Sequence, residues 1–370
     1  MNLFSRIIKK LRVRYYLRKG YSRHYTEYWM DNVKNAYKSS NLPEKEKKWA
    51  YKHGFFPWRI AQYGLTESNY QNFISDEAYY YLYPLNQDAQ LVSDKLTLRY
   101  TLAPFAKYLP EYYYLLTKNR EVMRLMDLPE EYPGSFDGII ALLKEKKVLA
   151  AKDRGGSQGR GFYKFEATPD GILVNNEKKT EEEFLELLKK LRFSGFGYII
   201  TEYIQMHPML KAINPYSVNT IRAVILNRNG NDPIFPYAFI RFGTKGSGVV
   251  DNISQGGMVC KIDVNTGRFY DAQTLKDHVF TDVEVHPETH EKASGFLPNW
   301  ELVKNTLLEI ARYCPQLRWL GVDVAITADG FKIVEINVHQ MLHKAHEYPP
   351  EVMDFLLSEL DKKKKRYHLK

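Results

Sequence analysis

Residues 321–337 read GVDVAITADGFKIVEIN, and no other stretch constrains the fold so tightly. Val322–Ile326 and Phe331–Asn337 are rich in β-formers, and Ala328-Asp329-Gly330 between them carries turn chemistry. A three-residue loop with Gly330 in the left-handed region pairs Thr327 with Phe331. Counted outward from there, Asp323 falls opposite Glu335, and Asn337 shares the face of Glu335 because side chains alternate along a strand. Two facing carboxylates repel unless one is protonated or a cation lies between them. Oxygen donors from Asp, Glu and Asn suit Mg²⁺, which keeps waters and shares its other positions with phosphates. A two-residue turn would put Asp323 on the opposite face and remove this argument. A half-exposed hairpin with solvated acids is the competing reading.

The chain has 370 residues, 44% of them hydrophobic, which suits a globular protein of two or three domains. No apolar run approaches the roughly 20 residues of a membrane-spanning helix. Arg6, Lys9, Lys10, Arg12 and Arg14 interrupt any signal-peptide core at the N-terminus. Cys260 and Cys314 show neither metal nor redox spacing, and a reducing, cytoplasmic setting is expected.

The net charge of +9 is concentrated at the ends. Residues 1–20 hold seven Lys and Arg and no acid, and residues 361–370 hold six with one acid; the remainder carries 40 basic and 43 acidic side chains. Such a body argues against nucleic acid as a partner. In the N-terminal segment Phe4, Ile8, Leu11 and Tyr15 fall on one helical face, with Leu3 and Ile7 beside them. Such a helix would lie on an anionic membrane surface, or else pack its stripe on its own domain. The KKKKR run at 362–366 reads as a solvated tail, with added attraction to the same surface as the competing reading.

The organisation expected is a basic amphipathic helix over 1–20, a helical, aromatic-rich region over 21–93, mixed segments over 94–205 and 206–360, and a basic tail over 361–370. Trp49, Trp58 and Tyr79-Tyr80-Tyr81 are taken as packing anchors rather than a nucleic-acid stacking surface. Val148–Lys152 reads as a strand. Thr180 and Glu183 form a capping box before the stripe Phe184, Leu187, Leu188 and Leu191. Strands are expected at 198–204, 220–226, 237–242 and 258–263, and a helix over 301–312. The pattern is α+β rather than a regular βαβ alternation.

Between the first strand and Phe162 runs AKDRGGSQGRGF, with glycines at 155, 156, 159 and 161, Lys152 leading and Arg154 and Arg160 inside. Glycines let backbone N–H groups cradle phosphate oxygens. The spacing is neither a P-loop nor a GxGxxG opening a helix, and a flexible surface hairpin is the alternative.

Taken in order, the glycine-rich loop with its leading Lys, the apolar strand ending in Glu202-Tyr203-Ile204 and the Asp–Glu–Asn hairpin resemble the ATP-grasp superfamily over roughly residues 94–345. Within it, TEYIQMHPMLKAINPYSVNTIRAVIL, RFGTKGSGVVDNISQGGMVCKIDVNTG and GVDVAITADGFKIVEIN look like the sugar-transfer-associated ATP-grasp family, with some likeness to the TupA-like group. The resemblance implies an ATP-grasp fold of two α+β subdomains behind a helical N-terminal region. It implies that Lys152 contacts ATP phosphates, with Arg154, Gly155, Gly156, Ser157, Gly159 and Gly161 closing over them. Glu202, Tyr203 and Ile204 would flank adenine, and Asp323, Glu335 and Asn337 would hold one or two Mg²⁺. Arg222 would meet the transferred phosphoryl, oriented by Asn219, while Arg241, Asp251, Asn252 and the QGG turn at 255–257 line the acceptor side. For Arg241 a structural ion pair competes. Lys95 and Arg99 would face nucleotide or substrate, or form a solvated helix face. After Asn337 the stretch VHQMLHKAHEYP departs from the family and brings His339, His343 and His346, which would touch substrate or merely pack.

The activity implied is ADP-forming ligation of a carboxylate to an amine, in cell-surface polysaccharide (capsule or O-antigen-like) synthesis or modification. Partners would be a small carboxylate and an amine or sugar acceptor, a lipid-linked glycan precursor among them. A kinase acting on a sugar or lipid-linked hydroxyl, or an inactive membrane-associated assembly factor, are the alternative readings.

Overall fold

The computed structural model describes the chain except for residues 1, 2, 157, 158, 160, 192–195, 252, 254, 255, 277, 278, 341, 343–347 and 368–370. Ser157, Arg160, Asn252, Gln255, His343 and His346 therefore lie outside the described residues.

Among the described residues seven α-helices open the chain: α1 (Leu3–Arg18), α2 (Arg23–Ser39), α3 (Glu44–Lys52), α4 (Arg59–Tyr63), α5 (Asp76–Leu82), α6 (Gln90–Ser93) and α7 (Lys95–Thr101). Polar N-caps start several of them: Ser22, Ser75 and Asp94 each accept a backbone N–H two or three residues into α2, α5 and α7. Tyr79, Tyr80 and Tyr81 are buried, as their packing role requires.

The first sheet holds β1 (Tyr112–Leu116), β2 (Val122–Arg124), β3 (Val148–Asp153), β4 (Tyr163–Thr168), β5 (Gly171–Val174), β6 (Glu177–Lys179) and β7 (Tyr198–Glu202), in the order β2-β1-β7-β3-β4-β5-β6 and antiparallel throughout. Helices α8 (Phe136–Lys146) and α9 (Glu181–Lys190) cover one face, where Ile139, Leu143, Phe165, Phe184 and Ile200 are buried together. The Thr180–Glu183 capping box closes reciprocally at the start of α9.

Residues 203–207 carry the chain from β7 to α10 (Pro208–Ile213) and the second sheet. Its strands are β8 (Thr220–Leu226), β9 (Ile234–Phe242), β10 (Met258–Ile262), β11 (Arg268–Lys276), β12 (Val279–Asp282), β13 (Gly295–Phe296), β14 (Trp319–Thr327) and β15 (Gly330–Asn337). The order is β12-β11-β10-β9-β8-β14-β15, with β13 beside β11. Helix α11 (Trp300–Tyr313) packs on one face through Val303, Leu307 and Ile310, against Ile221, Ala223, Val322, Val324 and Ile333. Side-chain alternation sends Val224, Leu226, Tyr237, Phe239 and Trp319 to the opposite face. There the N-terminal helices and α12 (Pro350–Arg366) bury them through Tyr79, Leu82, Val352 and Leu356. These helices cover only part of that face, and the remainder carries Thr220, Arg222, Arg241 and Asp323. This is the α+β architecture expected.

The hairpin reaches the expected pairing by a different route. Its turn is the two-residue Ala328-Asp329, with Thr327 opposite Gly330, and the ladder runs regularly to Val324–Ile333. A bulge then inserts Val334, so that Asp323 does oppose Glu335. Without the extra residue Glu335 would pair with Val322 and turn into the core. With it, Phe331, Ile333 and Ile336 stay in the core beneath α11, while Lys332, Glu335 and Asn337 remain partly exposed.

Candidate active site

The second sheet supplies a buried charge network. In register across three strands, Arg222 of β8 neighbours Asp323 of β14, which neighbours Glu335 of β15. Arg222 donates Nε and Nη2 to the two oxygens of Asp323 at 2.6 and 3.1 Å, and Nη2 of Arg241 reaches Asp323 Oδ2 at 3.2 Å. Burial alone would raise the Asp323 carboxyl, which is only 3% exposed, but the two guanidinium groups outweigh it and hold the pKa at about 2. Arg241 also lies 3.5 Å from Asp251, and Thr220 donates its backbone N–H and its hydroxyl to Asp251. Burial pushes the Asp251 carboxyl up, opposed by Arg241. Asp323 is thus a structural anchor for two arginines as well as a candidate metal ligand.

Glu335 is more open. Its Oε2 lies 3.6 Å from Lys95 Nζ, and its Oε1 accepts from Asn337 Nδ2 at 3.2 Å. The donor set fits Mg²⁺: two ionisable carboxyls face each other across the ladder, one of them ionised down to about pH 2, with an amide oxygen available if Asn337 turns over. Among the described residues no group of three or more His, Cys, Asp or Glu is placed to hold a metal, so the set depends on Asn337 and on oxygens from outside the protein.

The first sheet brings the opposing charges. Lys152, in β3, is buried; burial pushes its ammonium down to about 8, Lys95 adds to the effect, and Glu335 and Glu202 oppose it. Lys95 Nζ donates to the carbonyl of Gly156 at 2.6 Å, tying α7 to the glycine-rich loop. Glu202, ending β7, accepts the N–H of Glu111 and lies 3.6 Å from Lys332 of β15. Lys332 also donates to the carbonyl of Leu109. One cleft thus gathers Lys152 and Glu202 from one sheet, Lys332 and Glu335 from the other, and Lys95 from α7. Beyond β7, Tyr203 has the Lys164 ammonium 5.3 Å from its ring centre, burial raises its phenol to about 12, and Ile204 is buried.

Several expected roles are not the ones the structure displays. Arg99 is buried and paired with Asp127 at 2.7 Å, so it faces neither solvent nor the cleft charges. Arg154 makes a two-point contact with Asp94, the N-cap of α7, which makes it a clamp on the loop. The N–H groups of Gly155 and Gly156 donate to the side chain and carbonyl of Asp153. Gly159 and Gly161 take φ near +70°, and a Cβ on Gly159 would come within 2.5 Å of Val250, so the loop tip sits against the second sheet's 243–251 segment. Asn219 is buried and bonded to Asn214 and the carbonyl of Leu210, with no hydrogen bond to Arg222 among the described residues. His339 packs among Tyr25, Tyr79 and Tyr83, where burial, then Lys363, pushes its imidazole down to about 3. Lys332 was not singled out from the sequence; only the bulged register sets it on the side of Glu335. Glu111 carries no local signal, whereas Asp94 has the N-cap signal of an Asp just before a helix but nothing local that points to Arg154.

Two antiparallel sheets joined by a short linker, a glycine-rich loop closing from one and an Asp–Glu–Asn hairpin in the other, define an ATP-grasp fold. The chain belongs to the sugar-transfer associated ATP-grasp family, which matches residues 76–346. No curated protein matches. Among solved structures it is similar to the ATP-grasp ligase PsnB complexed with a minimal precursor, at 14% identity over 74% of this chain and 62% of that one, with a TM-score of 0.36. It is also similar to D-alanine–D-alanine ligase from Bacillus anthracis, at 13% identity over 75% and 68% of the two chains and a TM-score of 0.37. D-Cycloserine synthetase DcsG matches at 11% identity over 84% and 82%, with a TM-score of 0.42. The chain thus spans 62% of the PsnB structure's length. No helix among the described residues is long and apolar enough to cross a membrane.

Proposed function

We propose that the protein is an ATP- and Mg²⁺-dependent ligase that joins a carboxylate to an amine through an acyl phosphate, in the synthesis or modification of a cell-surface polysaccharide. The observation that carries this reading is the meeting of buried Lys152 with Lys95, Glu202 and Glu335 between the two sheets of an ATP-grasp fold. Two ammonium groups there match the charge of a polyphosphate. Tyr203 and Ile204, on the linker, would flank the base through their backbone groups. Asp323, Glu335 and Asn337 would hold Mg²⁺, which when bound supplies neutralisation of the phosphate charge.

Arg222 spends Nε and Nη2 on Asp323, which fixes its plane and leaves Nη1 for the transferred phosphoryl. A carboxylate oxygen attacks the γ-phosphorus as the bond to ADP breaks; the amine then attacks the acyl carbon, phosphate leaves and the ammonium gives up a proton. Arg241 and Asp251 would line the acceptor side. The family's name supports a sugar-bearing acceptor, and a lipid-linked glycan precursor is the form this reading favours. The N-terminal helix, whose apolar stripe faces solvent, would meet an anionic membrane surface.

Product analysis with candidate acceptors tests the reaction. Free phosphate with ADP and a new amide is the expected result; phosphate retained on the acceptor would make the protein a kinase. Tight Mg-ATP binding without turnover of any acceptor would favour an assembly role.

A further inference from the structure

The two basic ends of the chain meet. A Cβ on Gly20, just after α1, would lie 2.4 Å from the ring of Tyr367, just after α12, so the two termini are packed in contact. Between α1, α5 and α12 lies a cavity of about 480 Å³, walled by Tyr15, Tyr16 and Tyr81 and lined by Lys19, Lys364 and Glu77. It lies outside the ATP-grasp cleft, and both α1 and α12 lie outside the family-matched residues.

Three observations point to its ligand. Lys19 and Lys364 come from opposite ends of the sequence and neither makes a salt bridge among the described residues; Lys19 sits 4.6 Å from the Tyr15 ring centre and favours the charged form of Glu77, so both ammonium groups border the cavity where an anion would bind. Glu77 accepts from Tyr21 Oη at 3.3 Å, keeps acceptor capacity for a ligand hydroxyl, and would repel a second carboxylate. Tyr15 belongs both to the cavity wall and to the stripe Ile8, Leu11 and Tyr15, in which Leu11 is 59% and Tyr15 54% exposed. Helix α1 attaches to its neighbours through the other side, with Val13 buried and Lys9 paired to Asp31 of α2. The cavity therefore opens beside an unpartnered apolar stripe at the basic pole of the molecule.

We propose that this cavity is the headgroup site for an anionic, hydroxyl-bearing phospholipid at a membrane surface, with the acyl chains lying along the Ile8–Leu11–Tyr15 stripe. Lys19 and Lys364 meet the phosphate, the tyrosine rings flank the headgroup and Glu77 accepts its hydroxyls. The proposal deepens the membrane part of the functional reading and is independent of the ligase chemistry.

The test is co-sedimentation of the full chain with phosphatidylcholine vesicles containing phosphatidylglycerol or, at equal charge density, phosphatidylserine. Preference for phosphatidylglycerol is expected, because the serine carboxylate faces Glu77. Replacing Lys19 and Lys364 by Gln should lower binding by at least about tenfold more than replacing Lys10 and Lys365, which removes the same charge from the same pole. Ala78→Leu, which fills the cavity without changing charge, should lower binding likewise, with an unchanged Tm reporting that each variant is folded. Equal losses for the two double variants, together with undiminished binding by Ala78→Leu, would overturn the headgroup site and leave diffuse attraction. No binding of the wild type to either anionic vesicle would overturn the membrane reading itself, while ATP turnover would stand or fall separately.

Discussion

Lys152 and Asp323 show how much of the site's chemistry is set by single environments. Burial, then Lys95, brings the Lys152 ammonium down to about 8 from its usual 10.5. Polyphosphate favours the protonated form, so its pKa is higher in the complex than in the free protein, and binding takes up protons between the two values. Mg-ATP affinity should therefore fall as pH rises through about 8, with proton uptake visible by calorimetry in buffers of differing ionisation heat. A pH-independent affinity from 7 to 9 would separate Lys152 from the phosphates. Asp323 holds two arginines in a buried network, so Asp323→Asn leaves charge uncompensated and should cost about 3–5 kcal/mol of stability. Glu335→Gln, at a side chain 26% exposed, should change stability by less than about 1 kcal/mol in urea unfolding. The two carboxylates thus differ sharply as probes: only Glu335 can be neutralised without disturbing the frame.

At the scale of elements, the hairpin makes a sharper test than its residues. Deleting Val334 removes the bulge yet keeps Asp323 opposite Glu335, because the ladder already runs regularly to Val324–Ile333. Mg²⁺-dependent ATP binding should survive within about tenfold. A three-residue loop with an unbulged ladder would instead bring Ile336 opposite Asp323 and abolish it. The hairpin also shows what the sequence could reveal. Its strands, its facing acids and the α9 capping box follow from local periodicity and cap chemistry. The bulge does not, because Val334 is an ordinary β-former with no glycine to mark it. Strand β8 was legible as a run of β-formers, but its pairing with β14, which gives Asp323 its arginine 101 positions away, is a matter of topology. The glycines at 155 and 156 suggested a phosphate nest, whereas Asp153 accepts their N–H groups within the loop's own turn. Short strands such as β5 and β6 carry too few residues for their period to stand out.

Across the whole molecule, α5 and the segment that follows it act as a latch on the Asp–Glu–Asn hairpin. Asn86 donates to the carbonyls of Trp319 and Val338, at the two ends of that hairpin, and accepts the N–H groups of Arg318 and Trp319. Tyr79 Oη donates to the carbonyl of Gln340 and accepts from Trp319 Nε1. Asn86→Ala leaves several buried backbone groups unpaired and should lower stability by about 2–3 kcal/mol, read as a drop in Tm. An unchanged Tm would mean that the latch is not structural. The chain's two basic ends pack together beside the same region, so the proposed nucleotide site and the proposed membrane site occupy different parts of the fold. Calorimetric titration of wild type and Glu335→Gln with ATP, with and without Mg²⁺, probes the proposed nucleotide site between the sheets. The wild type should bind in a Mg²⁺-dependent way, and the stable variant should lose that dependence by at least about tenfold in Kd. Wild-type protein that binds no ATP, or a Glu335→Gln variant that binds Mg-ATP as the wild type does, would rule this site out.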